Sequence, residues 1–474
     1  MFREWAFVGH EWELVLGHVL LVAGFLFAAA LVGHIIRQRR SPSGTIAWLL
    51  VIVLMPYVGV PLYVMFGGRK MRKEAHKKAR IKLKDHAGPQ SLPNESIQLD
   101  RLLQTYGLPR ATEGNNLQLC QDGEEVFKRL KTLIEGARES VSVATFILGR
   151  GPVGREVLAL LTKAAARGVR VRLLLDDLGN LHLPKLLLRP LKAAGGEVAF
   201  FMPVLHLPFR GQANLRNHRK IVVVDEETVL AGGTNLAEEY IGPQPIAHRW
   251  KDLSFVLSGP AVRHYTEIFR LDWMFAGGSN FDLRNPDHSA IDAGQAVVQV
   301  VPSGPDVDGD PFYDAVLSSI FSARERFWVV TPYFVPDDPL AQAMRLAAHR
   351  GVDVRLIVPE RSNHFLADVA RSTYMREIQE AGARVMAYTP GMLHAKVVIQ
   401  DEAVAQVGSA NMDMRSLFLN YEAMLLVYSR EEVLAVEEWV KTQVLAHCRP
   451  LEPREAGPAR EMAEGLVRMV APLL

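Results

Sequence analysis

The chain has 474 residues, 49% of them hydrophobic, with 54 Lys and Arg against 52 Asp and Glu. That length exceeds one ordinary domain and predicts two or three, each with ample core, while a net charge of +2 gives no whole-chain argument for a nucleic-acid partner. The two cysteines, Cys120 and Cys448, lie far apart with no Cys/His metal spacing beside them, so neither a disulfide framework nor a metal site is expected and both are read as buried small apolar residues.

The first element is an uncharged run from Leu14 to Ile36, long enough to span roughly 34 Å as a helix. Ala28-Ala29-Ala30 fits a signal-peptidase pattern, but Glu4, Glu11 and Glu13 outnumber Arg3 and the apolar run continues past the alanines, which favours an anchor. His18 and His34 inside the run are read as packing or interface positions. A second uncharged stretch, Thr45 to Phe66, contains Pro56, Gly59 and Pro61, which break a straight helix midway. Residues 1–66 are therefore predicted to be a membrane hairpin whose second arm either crosses or is re-entrant. Arg37, Arg39 and Arg40 precede that arm, and a denser cluster from Arg69 through Lys84 follows it. Two full crossings would put these groups on opposite faces, against the positive-inside rule; the denser cluster places the remainder in the cytoplasm. Residues 67–96 are read as a basic segment attracted to anionic lipid, ending in the linker DHAGPQSLPNES at 85–96.

Beyond the linker, helix-like and strand-like segments alternate, as in an α/β domain, and the order repeats. VSVATFIL at 141–148 corresponds to FWVVTPYFV at 327–335, GVRVRLLLDD at 168–177 to GVDVRLIVPE at 351–360, and KAAGGEVAFF at 192–201 to QEAGARVMAY at 379–388. His218, Lys220, Asp225, Gly232 and Asn235 recur 176 positions later as His394, Lys396, Asp401, Gly408 and Asn411. The chain thus divides into halves at 97–286 and 287–474, each a mixed sheet flanked by helices and related by a pseudo-twofold axis.

Each half carries H-x-K-x4-D, then a small-residue turn and an asparagine: GGTN at 232–235, GSAN at 408–411. On an extended segment the His and Lys share one face, and the intervening Arg219 or Ala395 points away. Two imidazoles and two ammonium groups meeting across the axis suit a phosphodiester. The lysines neutralise nonbridging oxygens, one imidazole attacks phosphorus and the other protonates the departing alkoxide, with no metal or cofactor required. An isolated H-x-K is more simply a structural histidine; the duplication at fixed spacing argues for catalysis. Asn235 and Asn411, with Gly233 and Ser409 in the turns, are assigned to phosphate binding or its support. Asp225 and Asp401 are counted with the catalytic set, although each follows an apolar run, and bonding to a turn's backbone competes with substrate contact. Asp252 and Glu422, 34 and 28 residues after His218 and His394, are candidates to orient their imidazoles. Asp176 and Asp177 are read as loop residues.

These residues resemble the phospholipase D superfamily and, more narrowly, its bacterial cardiolipin synthases. The likeness rests on NLRNHRKIVVVD with GGTNLAEEYIG, WKD, TPYFVPD, GMLHAKVVIQD and GSANMDMRSLFLNYE, together with the apolar N-terminal stretch. The resemblance implies two phospholipase D-like α/β/α lobes after a membrane hairpin. It also implies transfer of a phosphatidyl group from one phosphatidylglycerol to another, yielding cardiolipin and glycerol at the bacterial inner membrane. His218 is then the nucleophile and His394 the general acid and base, by the order of motifs in family members. Lys251 stands where arginine is frequent, and ERSNHF where a Pro-Asp pair is often found, which leaves the acceptor subsite open. Phospholipase D-type hydrolysis, transfer to another alcohol, a nucleic-acid phosphodiesterase and a noncatalytic lipid scaffold are the competing functions. A homodimer is compatible with the sequence.

Overall fold

The computed structural model describes residues 2–36, 42–57, 59–60, 63, 78–83, 92, 94–203, 215–283, 293–452, 457, 462 and 464–465. The described residues up to 63 form one compact unit and those from 78 onward another.

In the N-terminal unit the uncharged run folds as helix α1 (Phe2–Ile36). Its part from Gly17 to Ile36, 20 residues of mean hydropathy 2.5, is long and apolar enough to cross a membrane. Helix α2 (Pro42–Leu54) opens on a proline, whose missing N–H costs nothing there. It stops before Met55, the residue that Pro56 disfavours in helical geometry. At 13 residues, α2 rises only about 20 Å, short of a bilayer core of about 30 Å. Ile35, Ile52 and Tyr63 bury one another, flanked by Leu31 and Trp48, which makes the unit a packed hairpin. His34 meets the Tyr63 ring edge-on at 6.4 Å, the packing role expected of it. Arg37, Arg39 and Arg40 lie outside the described residues, as do positions 69–77 and 84 of the basic cluster.

The larger unit begins with α3 (Asn94–Thr105), β1 (Thr112–Cys120), α4 (Gly123–Gly136), β2 (Ser140–Thr145), α5 (Pro152–Ala166), β3 (Arg170–Asp176), β4 (Glu197–Phe201), β5 (Ile221–Val224), β6 (Thr228–Gly232), β7 (Ser254–Ser258) and α6 (Val262–Phe275). It continues with β8 (Ala296–Ser303), α7 (Pro311–Ser322), β9 (Arg326–Val330), β10 (Phe334–Val335), α8 (Asp338–His349), β11 (Asp353–Pro359), α9 (Phe365–Glu380), β12 (Arg384–Tyr388), β13 (Val397–Gln400), β14 (Val404–Gly408), β15 (Met412–Asp413), α10 (Met414–Phe418), β16 (Glu422–Val427), α11 (Arg430–Trp439) and β17 (Cys448–Pro450). One sheet of 15 strands runs β17-β12-β11-β9-β13-β14-β16-β8-β1-β7-β6-β5-β2-β3-β4. The β8–β1 junction is its centre of symmetry. Outward from it β7-β6-β5-β2-β3-β4 repeat β16-β14-β13-β9-β11-β12, and β5 and β6 match β13 and β14 at the 176-residue offset.

In each lobe three strands, β2-β3-β4 or β9-β11-β12, pair in parallel and the inner strands antiparallel, while edge strand β17 pairs antiparallel with β12. Because both faces are covered, burial is continuous along the strands rather than alternating, as in β2 and β16, which are buried throughout. The helices present apolar stripes to the sheet; α4 buries Val126, Phe127, Leu130 and Ile134, and Asp122 caps it by accepting from Glu125 N.

Asp225 and Asp401, the last residues of the motifs, anchor this frame. Both sit at positive φ, 53° and 50°, a left-handed conformation that aspartate tolerates, just past β5 and β13. Asp225 accepts hydrogen bonds from the backbone N–H groups of Arg138, Glu139 and Ser140 at 2.7–2.9 Å. Asp401 does the same for Arg324, Glu325 and Arg326 at 2.9–3.0 Å. Seven residues of extended chain, roughly 23 Å, separate each from its histidine. Their place in the catalytic set is thereby corrected: these carboxylates lock the turn that enters β2 or β9.

Three further expectations change. The linker is shorter than read, because α3 starts at Asn94 and Ser96 Oγ donates to Ala403 O. The basic cluster is not uniformly a lipid-facing surface: Lys78 is buried against Asp272 and Asp306, Arg80 pairs with Asp308, and Ile81 and Leu83 are buried while Lys82 is exposed. Cys120 is buried as expected, but Cys448 is only partly covered, on edge strand β17; burial pushes both thiols up to about 12.

Asp225→Ala or Asp401→Ala, by releasing three donors from a charged acceptor, should each cost about 2 kcal/mol of stability. Thermal unfolding should register that loss while turnover per folded molecule stays near wild type; a catalytic role would reverse the pattern.

Candidate active site

The two motif segments cross between lobes. His218 N donates to Tyr421 O at 2.9 Å and Tyr421 N to Arg216 O at 2.9 Å, forming a short parallel bridge between the segment entering β5 and the one entering β16. His394 N donates to Lys251 O at 2.7 Å, and Lys251 N to Met392 O at 2.9 Å, in the equivalent place. These bridges hand each imidazole to a carboxylate of the opposite lobe. His218 Nδ1 lies 2.9 Å from Glu422 Oε1, and His394 Nδ1 lies 2.6 Å from Asp252 Oδ2. The sequence reading paired each carboxylate with the histidine of its own half; the pairing is crosswise because β7 and β16 flank the symmetry axis and each begins at the other lobe's motif.

A carboxylate at Nδ1 selects the tautomer that leaves Nε2 with its lone pair. Burial lowers the His218 imidazole to about 4, opposed by Glu422 and reinforced by Lys220 and Lys396. Burial, then Lys396, Lys220 and His218, hold His394 well below its ordinary value. That His394 feels Lys220 and His218, and His218 feels Lys396, puts all four groups in one electrostatic neighbourhood. Burial raises the Asp252 carboxyl to about 6, against the pull of Lys396. Burial also raises Glu422, but His218, Lys220 and the Ser409 hydroxyl outweigh it and keep the group below its ordinary value. At neutral pH the site therefore holds two ionised carboxylates and two neutral imidazoles.

The lysines are buried as well. Lys220 Nζ donates to His218 O at 2.7 Å, and burial holds it well below its usual value despite Glu422. Lys396 is lowered to about 8 by burial, with Asp252 and Glu422 resisting. Its Nζ touches the His394 carbonyl and lies 2.7 Å from Nδ1 and 3.1 Å from Nε2. Since Nδ1 carries the hydrogen given to Asp252, only Nε2 can accept from this ammonium.

The supporting residues differ between lobes. Ser409 Oγ donates to Glu422 Oε2 at 2.5 Å and its carbonyl lies 3.1 Å from His218 Nδ1, so it buttresses the dyad. Its counterpart Gly233 has no side chain because a Cβ there would come within 2.2 Å of Asp252 Oδ1. Asn235 accepts from Ile147 N at 3.2 Å and bonds the Tyr240 hydroxyl; Asn411 donates to Asp413 at 3.0 Å. Asn411 lines a cavity of about 420 Å³ together with His218, Phe146, Arg216, Tyr333 and Arg415. Among the described residues, the lining includes His218 and not His394, which sits instead against the Tyr240 and Trp250 rings at 5.0 and 5.4 Å.

Sequence reasoning missed Phe146, whose ring meets His218 edge-on at 5.2 Å, and also Tyr240 and Trp250. Aromatic positions beside GGTN and WKD were the available signal. It also took Asp176 for a loop residue; in fact it is 1% exposed and accepts from Asn217 N at 2.9 Å, Leu178 N and Gly179 N, holding the His218 segment against β3.

Two lysine-flanked imidazoles on twinned lobes, each oriented by a carboxylate, are the arrangement of a phospholipase D-like centre. The family profile described as cardiolipin synthase, PLD-like domain, matches residues 130–273 and 316–443, and one described as phospholipase D-nuclease N-terminal matches 26–68. Cardiolipin synthase 1 of Bacillus anthracis is 32% identical over 95% of this chain and 94% of its own length. Cardiolipin synthase A of Pseudomonas fluorescens is 34% identical over 97% and 98%. The crystal structure of phosphatidylserine synthase from Haemophilus influenzae shares the fold, with a TM-score of 0.63 over 80% of this chain and 100% of that one at 14% identity. The chain belongs to the cardiolipin synthases of the phospholipase D superfamily, a family of phosphatidyltransferases.

The pKa directions set a pH dependence. kcat/KM should begin to fall on the acid side near pH 6, as Asp252 takes up a proton, and fall further near pH 4, as His218 does; on the alkaline side it should fall at or below about pH 8, as Lys396 loses one. Initial rates across pH 4–10 check this, and Lys396→Arg, always charged, should flatten the part of the alkaline limb that Lys396 sets.

Proposed function

We propose that the enzyme moves a phosphatidyl group from one phosphatidylglycerol to the hydroxyl of a second, through a phosphatidyl-histidine on His218. The observation that carries this reading is the crosswise pairing of His218 with Glu422 and of His394 with Asp252. Nε2 of His218 attacks phosphorus as Lys220 and Lys396 neutralise the nonbridging oxygens. The P–O bond to glycerol breaks, and glycerol leaves with a proton from His394. The acceptor's hydroxyl then gives its proton back to His394 while its oxygen displaces His218 from phosphorus. Burial and the neighbouring lysines hold His394 neutral; a bound phosphodiester adds negative charge beside it and raises its proton affinity, supplying the acid form when it is needed.

The assignment of His218 as nucleophile is supported by the asymmetry of the lobes: His218 borders the cavity, whereas His394 is boxed by aromatic rings. Asn411, at the cavity wall, is the better placed of the two asparagines to contact phosphate. At the cavity's rim Phe365 and Leu366 are 78% and 48% exposed, and Leu178 is 41% exposed. Exposed large apolar side chains around a catalytic opening fit a substrate whose headgroup enters while its acyl chains stay outside. Such an enzyme works at the inner face of the bacterial cell membrane, held by its N-terminal hairpin, with residues 97–286 and 287–474 as two cytoplasmic lobes and anionic phosphatidylglycerol and cardiolipin as its lipid partners.

Alanine in place of His218 or His394 should lower kcat by at least 10²- to 10⁴-fold, roughly the share of general acid–base assistance alone. Purified enzyme with labelled phosphatidylglycerol should yield cardiolipin and glycerol; phosphatidic acid as the main lipid would identify a hydrolase instead. Denaturation of His394→Ala in detergent at alkaline pH, where a phosphorus–nitrogen bond survives, should leave phosphorus label on the peptide containing His218, and label on His394 in the reciprocal variant would exchange their roles.

Phe365→Ser with Leu366→Ser should weaken activity on phosphatidylglycerol vesicles about tenfold or more, since each buried apolar side chain is worth about 1.5–3 kcal/mol. Turnover of a monomeric short-chain phosphatidylglycerol should be little changed, and equal losses on both substrates would remove the rim from lipid contact.

A further inference from the structure

Arg219, between His218 and Lys220, is 0% exposed. Its Nη1 donates to Asp272 Oδ1 at 2.7 Å and Asp306 Oδ2 at 3.1 Å, its Nη2 to Asp306 Oδ1 and Ser303 O at 3.2 Å, and its Nε to Glu422 O at 3.0 Å. Lys78 Nζ touches the same two carboxylates, Asp272 Oδ1 and Asp306 Oδ2, with its side chain wholly covered. Asp272 Oδ2 in turn accepts from Asn217 Nδ2 at 2.9 Å, and Asn217 Oδ1 accepts from Arg219 N at 3.0 Å. The Tyr421 ring lies 4.7 Å from Lys78 Nζ and 5.5 Å from the Arg219 guanidinium.

Two cations and two carboxylates thus close to zero net charge in one buried cluster. It grips both neighbours of His218 and the backbone of its partner Glu422. Without Lys78 the balance is one negative charge in excess, in a place water does not reach. The cluster is one-sided: the position of Arg219 is taken in the other lobe by Ala395, also buried. In sequence, Lys78 follows the apolar stretch that ends at Phe66 by 12 positions, so some of the first described residues beyond that stretch enter the support of one catalytic histidine and not the other.

We propose that Lys78 is a positioning residue for His218: it balances the cluster that fixes the Asn217–Arg219 and Glu422 backbones, and so keeps the imidazole aimed. The proposal rests on the reading of His218 as the attacking group. Among the described residues, the other charged or titratable groups facing His218 include Glu422, Lys220, Lys396 and His394, with Arg216, Tyr333, Asp413, Arg415 and His364 around the shared cavity.

The test is a titration of the His218 imidazole resonance in full-length, detergent-solubilised enzyme, assigned by its loss in His218→Ala. Lys78→Met leaves an uncompensated negative charge, which favours imidazolium; the His218 pKa should rise by on the order of one unit. The acid limb of cardiolipin formation should move with it. Lys78→Met combined with Asp306→Asn restores neutrality and should bring both back. Should Lys78→Met fail to fold, Asp306→Asn alone leaves an excess cation and should move the value downward. An unmoved His218 pKa in Lys78→Met, even with a lower Tm, would overturn the proposal, as would a shift that the double variant leaves in place. Failure of the functional reading is separate: wild-type enzyme would make no cardiolipin, and the titration could still be read.

Discussion

The active site depends on a carboxylate of one lobe holding the imidazole of the other. Glu422 and Asp252 are each within 3 Å of a histidine that belongs to the opposite half of the sequence. Neither lobe alone contains an oriented imidazole, so catalysis requires the duplication to fold back on itself about the β1–β8 junction. The same geometry explains the continuous sheet. A centre assembled from two lobes holds its ångström-scale spacing only if the lobes cannot slide, and β1, paired with β7 on one side and β8 on the other, removes that freedom.

Much of this was legible in the chain. The 176-residue offset survives in β5, β6, β13 and β14 residue for residue, because a hairpin of fixed length tolerates no insertion between motif and turn. The histidines and lysines were readable because identical spacing occurred twice. What could not be read was the partner of each. Asp252 and Glu422 were found by their type and approximate position, yet sequence distance cannot say which lobe a strand end will face once β7 and β16 meet at a symmetry axis. Asp176 and Lys78 were missed for a related reason. A lone charge beside a turn, or in a basic run, usually lies in water, and only tertiary contacts distinguish the buried exceptions. Asp225 and Asp401 mislead in the other direction: they are fixed members of the motif, but their role is to hold a turn.

Pseudo-symmetry gives each lobe the same imidazole–carboxylate pair, and departures from it support the proposed division of roles. Gly233 facing Ser409, Asp252 facing Glu422, and Arg219 facing Ala395 are three places where the halves diverge within one neighbourhood. Ser409 and Arg219 add polar support around His218 and Glu422, while His394 lies against the Tyr240 and Trp250 rings. A nucleophile must present its lone pair repeatedly in one direction, which hydrogen bonds enforce. A proton carrier that alternates between acid and base needs only reach, and a snug aromatic box suffices.

Burial then accounts for how the site selects its substrate. Desolvation depresses both histidines and both lysines, so their protons are weakly held beside ionised carboxylates. An entering phosphodiester brings the one charge that reverses every one of these shifts: it stabilises the ammonium groups and raises the imidazoles toward the proton they must carry. Exchange of one alcohol for another on phosphorus conserves the type of bond, whereas transfer to water is downhill, so in the proposed mechanism thermodynamics does not protect the phosphohistidine from hydrolysis. The choice falls to access. Under the proposed function, the exposed Phe365, Leu366 and Leu178 at the rim would let a hydroxyl carried on a lipid reach the site ahead of one from bulk solvent.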